Sequence, residues 1–371
     1  MLIQNAKAFM DGKFQEKTDL LIRDGRISAI GTGLAAEGEK TLDLGGDLLL
    51  PGFVDVHIHA FKGMDTMQGE EAVRHMSREL KKVGVAAFLP TTMSASPEDT
   101  VKALEGIKAV MDRPEPDGAI VLGAHMEAPF LAEAKAGAQL KQYFADPNEE
   151  NWQHYTGGLE SIVRLITMAP ERAGALDFIR ELTKKGITVS IGHTTADAET
   201  THAAAEAGAT HVTHTFNAQT PLNHRAPGVP GAALVDDRLQ CEVISDGIHL
   251  HPDIVKLIIR TKGGEKLVAI TDAMEAAGMP DGQYQLGGQD VFVHEGAARL
   301  KDGTLAGSTL TMVRAFQNLM RFGATPEEAA LMTTQTPALS IGNEELGEIE
   351  LGAPAIFSRF DENYAFKGTV G

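Results

Sequence analysis

The chain holds one cysteine in 371 residues, Cys241, so no internal disulfide framework can staple it, and a reducing, cytoplasmic setting is expected. Basic residues are scarce: 33 Lys and Arg against 51 Asp and Glu give a formal net charge of −18. Such a surface repels phosphate backbones and anionic lipid, so neither nucleic acid nor membrane is expected as a partner. No apolar run reaches the roughly 18 residues of a spanning helix, and the stretch from Met1 to Lys17 lacks an apolar segment of signal-peptide length. Short-period repeats and low-complexity tracts are missing as well, and no helix-period segment precedes Pro51.

What the chain does have is core-forming material. Hydrophobic residues make up 43% and charged residues 23%, which excludes wholesale disorder. The length suits one large barrel, or a barrel with a small second domain.

Both ends read as short strands with tight turns. Met1–Phe9, Thr18–Arg23 and Arg26–Ile30 are separated by Asp11-Gly12 and Asp24-Gly25, and Gly347–Leu351, Ala355–Phe360 and Tyr364–Val370 repeat that texture. Neither end could bury a core alone, so residues 1–50 and 345–371 are expected to pair into one small β-sandwich domain around a central unit of 51–344.

In that central unit, apolar strands alternate with amphipathic stretches. Strands are expected at Phe53–His59, Ala86–Pro90, Ile120–Glu127, Ile162–Met168, Thr188–His193, Thr210–Thr215, Gln240–Ser245 and Leu267–Thr271. Helices are expected at Glu70–Val83, Pro97–Met111, Glu171–Lys185, Ala196–Ala207 and Pro252–Thr261, several closed by glycine. Eight strands alternating with helices favour an α/β fold of the (β/α)8 barrel type, while six with an interruption would suit a doubly wound sheet. Two segments break the rhythm. Phe130–Asn148 reads as a lid or substrate loop, and Gln283–Gly303 as hairpins inserted before a helix at Thr309–Arg321.

The side chains at the strand ends decide between the two sheets. His57 and His59, His125 and Glu127, His193, His214, Asp246 and His249, and Asp272 fall at the C-terminal ends of six of the eight strands, the rim where barrel enzymes keep their chemistry. His57 and His59 are two apart on a strand and so share a face, a good start to a divalent-cation site. Ala128-Pro129 end the third strand just after Glu127. His211 and His214 fall on opposite faces by alternation; His214 is the inward choice, with His211 left to packing or to support behind a ligand. Asp272 follows an apolar strand, where a carboxylate is costly unless it partners a metal or serves as a base; the bland alternative is a helix cap. Imidazoles with a carboxylate fit Zn²⁺, Fe²⁺ or Mn²⁺ better than Mg²⁺ or Ca²⁺.

These segments resemble a known family. Pro-Gly-Phe-Val-Asp-Val-His-Ile-His (51–59), His-Met-Glu-Ala-Pro-Phe (125–130), Gly-His-Thr (192–194), Thr-His-Thr-Phe-Asn-Ala (213–218), His-Arg-Ala-Pro-Gly (224–228), Ser-Asp-Gly-Ile-His (245–249), Thr-Asp-Ala-Met (271–274) and Leu-Ala-Gly-Ser-Thr-Leu-Thr-Met (305–312) are similar to those of the amidohydrolase superfamily. Within it they look like the deacetylases of N-acetylglucosamine 6-phosphate. The resemblance implies Glu127, His193 and His214 as metal ligands, with His57 and His59 able to hold a second ion. One or two divalent ions are implied, zinc first, with Fe, Mn or Co as alternatives. It implies Asp272 as general base and then acid, and a sugar phosphate held by Arg225, His249 and the backbone around Asn217 and Ala218. A homodimer is implied too, with Arg225 reaching in from the neighbouring subunit.

Three positions depart from the family pattern. Ala128 stands where glycine is usual, and Gln139 stands where a histidine usually helps to hold the sugar and polarise the amide carbonyl. Gly352-Ala353-Pro354-Ala355 replaces the usual Gly-Lys-x-Ala-Asp. A glutamine can donate a hydrogen bond but carries no charge, which keeps open a different N-acetylated sugar phosphate as substrate. The remaining alternative is a non-catalytic sugar-phosphate sensor, marked by tight binding without acetate release.

Overall fold

A computed structural model describes residues 1–35 and 37–371. Eight barrel strands run parallel: β1 (Phe53–Ile58), β2 (Val85–Thr92), β3 (Ala124–Met126), β4 (Val163–Met168), β5 (Thr188–Ile191), β6 (His211–Val212), β7 (Gln240–Ile244) and β8 (Leu267–Ile270). Each pairs with the next in chain order, from Phe53 opposite Val85 through to Ile244 opposite Ile270. β8 returns to β1 through the Asp272 amide on the His57 carbonyl (2.8 Å) and through Thr271, whose Oγ1 donates to buried Asp55 (2.5 Å). The mixed α/β architecture is the expected (β/α)8 barrel.

The strands are nearly continuous apolar runs because both faces are covered, by the lumen contents on one side and by helices on the other. The helices begin where the sequence supplies caps: Ser96 accepts the Asp99 amide with Pro97 at the first turn, and Thr325 and Glu328 form a reciprocal capping box. Two short helices, Glu149–Thr156 and Gly228–Val235, lie where no helical period is expected, the second being apolar almost throughout. The lumen beneath the rim is partly polar, since Thr167, Ser190 and Thr213 join His125 in a buried hydrogen-bonded chain.

Both termini build one seven-stranded sheet, ordered Phe366–Val370, Phe357–Phe360, Leu48–Pro51, Leu2–Met10, Lys13–Arg23 and Arg26–Gly31, with Thr41–Asp43 beside Leu2–Met10. Its apolar face packs Ile3, Leu20, Ile27, Leu49 and Phe357 together. Leu48–Pro51 leads into β1 across Gly52, where an added Cβ would sit 2.5 Å from that of Ala86. Glycine is therefore what lets this sheet join the barrel. Gly347–Leu351, expected as a strand, forms none. Gly347 turns through φ 88° against the backbone of Gln335, and Ile349 tucks into the apolar core of the terminal sheet without forming a strand. The inserted hairpins appear as a three-stranded sheet, Gly282–Leu286, Gln289–His294 and Ala297–Arg299, before the helix Met312–Phe322.

Candidate metal centre and active site

The structure ends the strands earlier than sequence alternation suggests, and the difference falls at the functional side chains. β5 stops at Ile191, β6 at Val212 and β8 at Ile270, whereas His193, His214 and Asp272 lie just beyond with φ of 45°, 28° and 48°. Such left-handed backbone costs a non-glycine residue of order 1 kcal/mol or more and gathers at sites where it aims a side chain. Here three strained residues point their side chains into one mouth.

Glu127 sits at the centre. Its Oε1 lies 3.0 Å from His214 Nε2, 3.2 Å from His193 Nε2 and 3.4 Å from His57 Nε2, and its Oε2 lies 3.1 Å from His59 Nε2. Asp272 Oδ1 closes the ring, 3.2 Å from His59 Nε2 and 3.6 Å from His57 Nε2. All six side chains are buried. Among the described residues two triads could hold a cation, His57–His59–Glu127 and Glu127–His193–His214, and Glu127 is common to both. Ala128, which follows it, is accommodated without displacing it from any of the four imidazoles.

The chemistry of the far ring nitrogens tests whether a metal fits. His59 Nδ1 faces the Thr91 carbonyl (3.2 Å) and His193 Nδ1 the Lys135 carbonyl (2.8 Å). A carbonyl only accepts, so both Nδ1 atoms carry the hydrogen and both neutral rings aim an Nε2 lone pair at Glu127. Lone pairs facing a carboxylate repel unless a proton or a metal ion lies between them. Three buried carboxylates, Glu127, Asp272 and Glu242, have histidines as their ion-pair partners. Such a cluster calls for added positive charge. The donor set therefore fits a divalent cation of the Zn²⁺ or Fe²⁺ type.

The charge states agree. Burial works against the His59 cation, yet hydrogen bonds to Asp272 and Glu127 raise its pKa to about 9. Burial likewise opposes the Glu127 and Asp272 carboxylates, but the neighbouring imidazoles, His57 foremost, hold both below the ordinary range. Asp55, fully buried and bonded by Thr271, is pushed up to about 7 by burial.

A cavity of about 320 Å³ opens above this cluster, lined among others by His59, Glu127, His193, His214, His249 and Asp272. The 130–148 segment forms one wall through Lys135, Gly137, Ala138 and Gln139, packed in place by buried Phe130 and Leu131. Gln139 is committed: its Oε1 accepts the Ser94 amide (2.7 Å), which turns its Nε2 to Glu127 Oε2 at 2.5 Å. His249 reaches the cavity with Nδ1 on Asp246 (2.7 Å); burial opposes its charge, but Asp246 prevails and raises its pKa. Ala218 lines the cavity, and its amide has no acceptor among the described residues. Asn217 is less available than expected, because its own amide closes the turn onto the His214 carbonyl (2.9 Å). Arg225 is not in this chain's cavity. It stands in the exposed run 221–227.

The strand-end pattern passed over Glu242, which lies against His57 and His211, and Asp55, while His125, counted there with the rim, is bonded within the lumen to Thr167. The available signal was a charged residue inside an apolar strand, Gln-Cys-Glu-Val-Ile, a placement that is costly without partners. His211 is buried behind the ligands, on Glu242. The histidines away from the centre are outlying: His154, His251 and His294 are exposed, and His75 and His202 are half-buried.

A parallel barrel whose rim gathers four imidazoles around one carboxylate, with a second carboxylate opposite, defines a class of metal-dependent hydrolases, and the chain belongs to the amidohydrolase family, whose model matches residues 48–368. More narrowly, the chain is similar over its full length to the N-acetylglucosamine-6-phosphate deacetylase of Lysinibacillus sphaericus, at 36% identity across 100% of this chain and 96% of that one. It is 37% identical to the N-acetylgalactosamine-6-phosphate deacetylase of Escherichia coli O157:H7, across 91% of this chain and 88% of the other. In three dimensions it matches a mutant N-acetyl-D-glucosamine-6-phosphate deacetylase from Mycobacterium smegmatis solved with N-acetyl-D-glucosamine 6-phosphate, at TM-score 0.92 and 31% identity, covering 100% of this chain and 97% of that one.

Proposed function

We propose that the chain is a metal-dependent deacetylase of N-acetyl-D-glucosamine 6-phosphate, releasing acetate and D-glucosamine 6-phosphate. The observation that carries this reading is the convergence of Glu127 with four imidazole Nε2 atoms beneath a cavity that also exposes Asp272 and His249. When bound, a divalent ion supplies Lewis acidity for a carbonyl and brings the pKa of water towards neutrality. We assign the first ion to Glu127, His193 and His214 and a second to His57, His59 and Glu127, with zinc the first choice.

Asp272 is the proton carrier. Its ionised carboxylate takes a proton from the attacking water and returns it to the amine nitrogen as the amide C–N bond breaks. The phosphate end is held by His249, by the Ala218 amide and by Arg225. Since Arg225 stands outside its own cavity, it serves the cavity of a second copy in a homodimer. No helix among the described residues is long and apolar enough to cross a membrane, and Cys241 is a buried free thiol. Both suit the cytoplasmic location proposed for this enzyme.

The decisive assay is acetate release from a panel of N-acetyl sugars by the metal-loaded chain. N-acetylglucosamine 6-phosphate should give the highest kcat/KM and the unphosphorylated sugar little turnover. Tight binding with no acetate release would sink the enzyme reading in favour of a sensor. Preference for the galactosamine epimer is the second reading, favoured by the E. coli relative and by Gln139 in place of histidine. A reversal of the preference in Gln139→His would place that choice at Gln139.

The phosphate end has its own test. Losing one charge-assisted contact costs about 1.5–3 kcal/mol, or roughly 10–100-fold, so Arg225→Ala should raise KM by that factor and leave kcat near its original value. Mixing Arg225→Ala with Asp272→Asn chains should restore part of the activity, because a mixed dimer holds one complete site. A mixture no more active than its parts rejects the shared site.

A further inference from the structure

We infer that Glu242 is the positioning residue that sets the His57–His59–Glu127 half of the metal centre, acting through the ring of His57. The inference rests on the reading of that triad as an ion site and deepens it.

Glu242 is fully buried on β7 beneath the rim, between Cys241 and Val243, which are equally buried. Its Oε2 lies 3.1 Å from His57 Nδ1 and also accepts the His214 amide (3.2 Å), while its Oε1 faces His211 Nδ1 (3.4 Å). The His214 amide can only donate, and each imidazole donates in its Nδ1–H tautomer, the one that an ionised carboxylate between them selects. With Nδ1 donating to Glu242, the neutral His57 ring must present the lone pair of Nε2, and Nε2 is the atom that faces Glu127 and Asp272.

The ligands differ in what stands behind them. His59 and His193 are backed by the neutral carbonyls of Thr91 and Lys135. The buried Nδ1 of His214 has no partner among the described residues. Among the four imidazoles, only His57 is backed by an anion, and a carboxylate behind an imidazole fixes the ring and raises its basicity as a ligand. Glu242 also steadies the left-handed backbone of His214 through that residue's amide, but this contact does not reach the His214 ring. The ring-borne influence of Glu242 is therefore confined to one half-site, and that asymmetry is open to measurement.

The test is zinc titration of the chelator-stripped, full-length chain by calorimetry, with ions per chain counted by elemental analysis. Two zinc ions should bind the original chain. Glu242→Gln, which keeps the shape and an acceptor oxygen but not the charge, should weaken one of them 10–100-fold and leave the other within about threefold. Circular dichroism and the melting temperature of the stripped variant report whether its fold survives. Unchanged affinity for both ions, or equal weakening of both, overturns the assignment, as does an original chain that stops at one ion. In that last case acetate release on a single ion would still stand, so the two readings fail separately. Should Glu242→Gln not fold, histidine ¹⁵N NMR of the original zinc-loaded chain decides instead. A proton on His57 Nδ1 is expected, and a proton on Nε2 overturns the proposal.

Discussion

Asp272→Asn is expected to leave the barrel folded and to cut kcat by about 10²–10⁴-fold, the range a positioned acid–base group contributes. Asparagine is the right replacement because the backbone at this position is unusual. Asp272 has φ 48°, a conformation that asparagine shares with aspartate at little cost. Its amide is fixed on the His57 carbonyl (2.8 Å), and its carbonyl accepts the Ser308 amide (2.7 Å). These bonds survive the substitution, as does the shape of the side chain. What is lost is the ability to take a proton from water and to return it to the leaving nitrogen. The phosphate contacts lie elsewhere, so substrate affinity measured by calorimetry should change little. Ion content must be followed in the same samples, since Asp272 Oδ1 also lies 3.2 Å from His59 Nε2. A variant that keeps its ions and retains more than a tenth of the original kcat would remove Asp272 from the proton-transfer role.

Much of this centre was legible in the sequence because barrel topology converts strand order into a ring. Once eight apolar strands are placed, residues as far apart as His57 and Asp272 must share a rim. The side-chain period of two was enough to put His57 and His59 on one face. It was not enough for His214, which lies beyond Val212 in a turn where alternation no longer governs direction. The same limit explains why the strands expected to run to His193 and Thr215 stop at Ile191 and Val212: His193 and His214 lie beyond them in left-handed backbone, which no hydrophobic pattern encodes. The 130–148 segment reads as a lid or substrate loop because it is polar and helix-poor, and it forms one packed wall of the cavity. Glu242 was overlooked because a single carboxylate in an apolar strand has meaning only beside His57 and His211, and those contacts span up to 185 positions. Arg225 shows the converse. Its motif was visible, yet it stands on the exterior outside the cavity, so the role proposed for it requires a second copy of the chain.

The largest effect on ion binding should come from Glu127, because it is the one residue that both triads share. Removing His57 leaves Glu127, His193 and His214 intact, so His57→Ala should cost one ion. Glu127→Ala takes the carboxylate from both sets, and the chain should then hold neither ion at micromolar zinc and show no acetate release above background. A thermal readout separates loss of ions from loss of fold. At free zinc 100-fold above the dissociation constant of a site, the original chain gains about 2.7 kcal/mol from that ion, and its melting temperature rises accordingly. Glu127→Ala should melt at the same temperature with and without zinc. Proton competition supplies a second handle. In the metal-free chain burial opposes the charged His59 ring, but Asp272 and Glu127 raise its pKa to about 9, so below that pH a proton occupies the lone pair that an ion needs. Zinc binding to the His57–His59–Glu127 set should therefore release protons and weaken progressively as pH falls below about 9. Losing Glu127 removes one of the two carboxylates that favour this protonation, so the His59 titration should move to lower pH in the variant. Zinc-dependent stabilisation that persists in Glu127→Ala would show that the ions are held elsewhere, and the shared-carboxylate centre would have to be abandoned.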